Sequence, residues 1–116
     1  MSSTAPQLTT LSAEQFAARG ITLSAAQDPA GLEPDQIRQQ LLESYGVSEI
    51  KDLVLAHVVD SRQSPAFDRT CWVVSVAGHP RSRPPGSPPI PGAFEVWFLD
   101  AQTGKLLFGT QEFGQP

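Results

Sequence analysis

The chain carries a single cysteine, Cys71, so no intrachain disulfide can staple the fold. Cys71 lies inside an apolar run, where a buried, inert thiol is the common outcome. Charge is also scarce. Asp, Glu, Lys and Arg make up 17% of the residues, against about a quarter in an average globular chain. Eight basic residues face twelve acidic ones, for a net charge of −4. A nucleic-acid binder needs clustered Lys and Arg to displace counterions from phosphates. The nearest approach to a cluster is Arg81 with Arg83, so nucleic acid is set aside as a partner. No run approaches the roughly 20 apolar residues of a membrane-spanning helix. Met1 to Ala30 lacks the basic start and apolar stretch of a secretory leader. The expectation is a cytosolic protein or the mature part of an exported one.

Proline and glycine are plentiful, at 11 and 9 residues, and they collect between 78 and 92. A length of 116 residues fits one domain with a single core. Residues 1–10 are polar and aperiodic and read as a flexible tail, leaving 11–116 as the domain. Ser12 and Gln15 have capping-box spacing for a short helix through Phe16 and Ala17, stopped by Gly20. Ile21 to Leu23 reads as a short strand or an extended lead-in. Pro34 suits a first helical turn, and Asp35 favours its positive end. Ile37, Leu41, Leu42 and Tyr45 recur at helical spacing, and Gly46 is a stop. These predict a helix over 34–45, with Arg38, Gln39, Gln40 and Glu43 outside.

After the helix the period falls to two. Strands are predicted over Leu53–Val59, Thr70–Ala77, Phe94–Leu99 and Lys105–Phe108, the last two joined by an Asp100–Gly104 turn. Strands joined so closely are antiparallel neighbours. The expected fold is therefore α+β: an antiparallel β-meander of about four strands packed against one main α-helix. Trp72, Val74 and Val76 make a fully apolar face, as do Phe94, Val96 and Phe98, and these are taken together as the core face. Cys71, Trp97 and Leu99 fall on the mixed face, with residues 11–23 as its expected cover.

The stretch Phe94-Glu95-Val96-Trp97-Phe98-Leu99-Asp100-Ala101-Gln102-Thr103-Gly104-Lys105-Leu106-Leu107 resembles the C-terminal hairpin of PepSY-type domains. Those domains end in an aromatic-rich strand, an Asp-Ala-x-Thr-Gly turn and a short apolar strand. The resemblance runs over about residues 33–108. It implies a non-enzymatic binding or regulatory module, extracytoplasmic or attached to a secreted peptidase as an inhibitor. The long Pro-rich loop departs from that pattern, and no peptidase is expected within these 116 residues. The matching positions are turn and core positions, so no binding residue carries over.

The resemblance implies an unidentified protein or peptide as partner; read from the residues, no cofactor is called for, and four residues are candidates for contact. Arg81 and Arg83 flank five prolines from 84 to 91, a stretch biased to polyproline II. Such a stretch either docks on a partner's aromatic groove or is a solvated connection. Phe67, between two strands, either covers the core edge or forms a contact surface, and Trp97 poses the same question. The alternative reading is a small-molecule domain with a pocket between helix and sheet. His57 and His79 lack a partner at ligand spacing for a metal. Asp60, Ser61 and Ser64 lack the strand–turn–helix setting of a nucleophile elbow.

Overall fold

A computed structural model of the chain describes residues 8–26, 30–47, 49–78 and 92–112. The elements run α1 (Ala13–Ala18), β1 (Ile21–Ala25), α2 (Pro34–Tyr45), β2 (Ile50–Asp60), β3 (Phe67–Ala77), β4 (Phe94–Asp100) and β5 (Leu106–Glu112). The strands form one antiparallel sheet in chain order. It has five strands where the sequence reading counts four. The added strand is β1, whose Ile21 and Leu23 alternate with Thr22 and Ser24 and which pairs with β2 from Ile21↔Asp60 to Ala25↔Ala56.

Helix α1 carries the capping box expected of it, and α2 the expected Pro34 start and Gly46 stop. Ser12 Oγ accepts from Gln15 N at 3.2 Å, and Gln15 Oε1 accepts from Ser12 N at 2.8 Å. Glu33 and Gln36 form the corresponding box at the start of α2, with Pro34 at the first position. Gly46 closes α2 in the left-handed region at φ 69°. Of the apolar positions predicted to share one face of α2, Ile37 and Leu41 are fully buried, whereas Leu42 and Tyr45 are 53% and 41% exposed. Leu42 follows Leu41 by one residue, about 100° around the helix, and so turns to solvent.

The apolar strand faces combine differently from expectation. Directly opposed residues share a face, and the register opposes Val74 to Trp97, Trp72 to Leu99, and Val73 to Phe98. One face therefore joins Trp72, Val74 and Val76 to Trp97 and Leu99, under Ile37, Leu41 and Val47. The other joins Cys71 and Val73 to Phe94, Val96 and Phe98, under Leu8, Leu11 and Phe16. Alternation within a strand sorts its own residues into two sets. Only the register says which sets of neighbouring strands lie together. The sheet is thus covered on both faces, by α2 on one and by the N-terminal segment on the other.

The tail boundary at residue 10 moves accordingly. Leu8 is buried, and Thr9 and Thr10 are tied to the Asp52 carboxylate through their amides and hydroxyls at 2.8–3.2 Å. The Thr10 hydroxyl also meets Ser75 Oγ at 2.6 Å, which gives the fully buried Ser75 a partner.

The Asp100–Gly104 turn forms as predicted. Asp100 Oδ1 accepts from Gln102 N at 2.7 Å and Thr103 N at 3.2 Å, and Thr103 Oγ1 accepts from Lys105 N. Gly104 takes φ 75°. Past the turn, β5 extends to Glu112, four residues beyond the predicted end.

Candidate functional site

Of the four candidate contact residues, Trp97 is ruled out as a surface residue. It is fully buried beneath α2, with the Tyr45 ring against it edge-on at 5.1 Å. Its indole N–H donates to Glu95 Oε1 at 2.8 Å. Phe67 is half-buried and packs on the core layer that also contains Phe98. Its ring meets Phe108 edge-on at 5.0 Å, Phe108 stacks on Phe98 at 4.4 Å, and the Arg69 guanidinium lies 5.7 Å from the Phe67 centroid. Phe67 therefore closes the core at a corner of the sheet, and an aromatic chain links it to the last strand. Arg81 and Arg83, with the rest of 79–91, lie outside the described residues.

Ile37 and Leu41 fill the interface between α2 and the sheet. An open cleft lies elsewhere, where the two ends of the meander meet on the N-terminal segment's face. It has a volume of about 490 Å³ and lies between Phe108–Glu112 of β5 and the junction of α1, β1 and the β2–β3 turn. Arg19, the C-cap of α1, places its guanidinium on the Glu112 carboxylate, with Nε donating to Oε2 at 2.8 Å and a second N–H to Oε1. Gly20 O in turn accepts from Ser61 N at 3.0 Å. The segment thus straddles the curled sheet from β5 to the end of β2.

The cleft has an apolar floor from Ile21 and Phe108 and a polar rim. Asp60 Oδ1 accepts from Arg62 N at 3.0 Å and Oδ2 from Gln63 Nε2 at 3.1 Å, so its carboxylate organises the turn. The Arg62 side chain runs back over Gly20. A methyl group on Gly20 would fall 2.3 Å from Arg62 Cδ, and Gly20 also has φ 78°, so glycine is required there on both counts. The Arg62 guanidinium donates to Arg19 O at 3.0 Å. Thr110 Oγ1 is buried and has no hydrogen-bond partner among the described residues.

The remaining chemistry-bearing groups hold structural positions. His57 Nε2 meets Asp68 Oδ1 at 2.5 Å, not Asp60, and its Nδ1 is buried without a partner among the described residues. The Ser24 and Ser61 hydroxyls donate to the carbonyls of His57 and Gly20, so neither bonds an imidazole nitrogen. Burial pushes the Cys71 thiol up to about 12, Arg69 opposing the rise and Asp100 adding to it. The thiol therefore stays protonated at neutral pH. No group of three or more His, Cys, Asp or Glu side chains is placed to hold a metal among the described residues. No helix of the described chain is long and apolar enough to cross a membrane.

The cleft residues were not singled out by the sequence. Arg19 and Glu112 are 93 positions apart, and Arg62 lies 43 from the carbonyl it bonds. No local spacing relates them. The one available signal was Gly20, which reads as a helix stop and also makes room for Arg62. No protein-family model, curated protein or solved structure matches the chain.

Proposed function

We propose that the chain is a non-enzymatic binding module that takes an extended peptide as a sixth strand along β5. The observation that carries this reading is the outer edge of β5, which pairs with no further strand among the described residues. The strand is seven residues long, ends the sheet, and is half-exposed from Leu106 to Thr110. It contains no proline and no lysine, two of the devices by which sheet edges are blunted. An added strand would pair with the outward N–H and C=O groups of Leu106 to Thr110, and the cleft beside it would take a side chain. Backbone pairing then supplies affinity and the cleft supplies selectivity. β1 ends the other side of the sheet but is only five residues long. The resemblance of the β4–β5 hairpin to PepSY-type domains, with their binding and regulatory roles, favours the same reading.

The test is amide hydrogen exchange on the full chain with a heptapeptide selected from a random phage-displayed library. Slowed exchange at alternate residues of Leu106–Glu112 is the expected result. Methylating alternate backbone nitrogens of the peptide should then weaken binding about tenfold or more, since each removes a ladder hydrogen bond. Protection confined to α2 or to β1 would refute strand addition at β5.

A further inference from the structure

Resting on that reading of β5, we propose that the adjacent cleft is a specificity pocket for an acidic residue of the added strand, with Arg62 as its charge partner. Four carboxylate and guanidinium groups line the cleft, and three of them are already committed. Glu112 is held by Arg19 through two parallel hydrogen bonds, and Asp60 is held by the turn it organises. Arg62 uses one N–H on the Arg19 carbonyl and has no acidic partner among the described residues. The rim therefore offers an incoming chain one exposed guanidinium that has no acidic partner among the described residues, beside an Asp60 carboxylate that is buried and held by neutral donors.

That charge is also held in place. The stem of Arg62 lies against Gly20, and its head is fastened to Arg19 O, so little side-chain entropy is left to lose when a carboxylate arrives. Guanidinium–carboxylate pairs are among the stronger hydrogen-bonded contacts when the guanidinium is pre-oriented. The floor of Ile21 and Phe108 suits the methylenes of a Glu side chain below its carboxylate. An acidic peptide is thus favoured at this one position although the chain itself is acidic overall.

The random heptapeptide library is selected in parallel on the full chain and on its Arg62→Met and Arg62→Glu variants. Met keeps the apolar stem over Gly20, and neither change touches the backbone amide that Asp60 holds. Wild-type selection is expected to enrich Asp or Glu at one fixed position, Arg62→Met to lose that enrichment, and Arg62→Glu to replace it with Lys or Arg. A synthetic peptide carrying the enriched acid should lose roughly tenfold in affinity to the wild type when that acid becomes its amide. The same change should cost less than about twofold on Arg62→Met, since the charge it would meet is gone.

Wild-type peptides with no acidic position would overturn the specificity pocket. If they still slow exchange in β5, strand addition survives that result. Acidic enrichment that persists in Arg62→Met would overturn the role of Arg62. Acid-dependent binding without protection of β5 would overturn strand addition and this proposal with it, and failure of the library to enrich any peptide would overturn both.

Discussion

At the scale of single residues, Asp52 is the clearest case of a charge put to structural use. Partial burial pushes its carboxyl pKa up, but the amides and hydroxyls of Thr9 and Thr10 donate to it and outweigh that, so the group lies below its ordinary 3.8. A carboxylate with a depressed pKa in the folded state contributes stability that is fully present above 3.8 and is lost as pH falls through the folded value. Asp52→Asn cannot accept on both sides and carries no charge. It should cost about 1–2 kcal/mol at pH 7, the low end for hydrogen bonds to a charged group because the site is partly solvated. Urea unfolding at pH 7 and at pH 3 checks this: the gap to wild type should narrow at the lower pH. An unchanged gap would mean that the Thr9 and Thr10 contacts do not depend on the carboxylate charge. None of this was legible in the sequence, because the threonines sit in a stretch without periodicity and their partner is more than 40 positions away.

At the scale of elements, legibility followed locality. The α2 signals act within a turn or two of the chain: Pro34 at the first helical position, Ile37 and Leu41 one turn apart, and Gly46 at the end. The helix occurs at Pro34–Tyr45 as predicted. The Asp100–Gly104 turn is equally local. The face assignment failed because it depended on how strands separated by loops come into register. Gly46 offers an element-scale test. Its amide bonds Leu42 O at 3.0 Å and the next amide, of Val47, reaches back to Leu41 O at 3.2 Å, so the left-handed residue delivers Val47 to the core. A side chain there would meet nothing within 4 Å, which leaves backbone strain as the only cost. Gly46→Ala should therefore destabilise by about 1 kcal/mol and Gly46→Asn by less, since Asn tolerates this region better. Thermal unfolding of the two variants reads the difference directly. Equal stability of wild type and Gly46→Ala would argue that the cap is not held in the left-handed region.

At the scale of the whole molecule, the N-terminal segment governs both stability and the cleft. With α2 on one face, the meander leaves Val73, Val96, Phe94 and Phe98 on the other, and Leu8, Leu11 and Phe16 cover them. Phe16 meets Phe98 edge-on at 6.4 Å. Burying each of these three covering side chains is worth roughly 1.5–3 kcal/mol. Together they approach the roughly 5–15 kcal/mol that holds a typical domain folded. The same segment ends in Arg19 and Gly20, which fasten Glu112, support Arg62 and so shape one wall of the cleft. The fold class was therefore legible from composition and period, while the cleft was not, since it exists only once the segment has crossed the sheet. Deleting residues 1–18 keeps every strand and α2. It should nevertheless abolish cooperative unfolding and give a species that binds hydrophobic dyes and aggregates, as expected when an apolar sheet face loses its cover. Phe16→Ala, a milder change, should cost about 3–5 kcal/mol while leaving a folded chain on which β5 exchange can still be measured. A truncated chain that unfolds cooperatively within about 1 kcal/mol of the full one would show that the sheet holds this face closed without its cover.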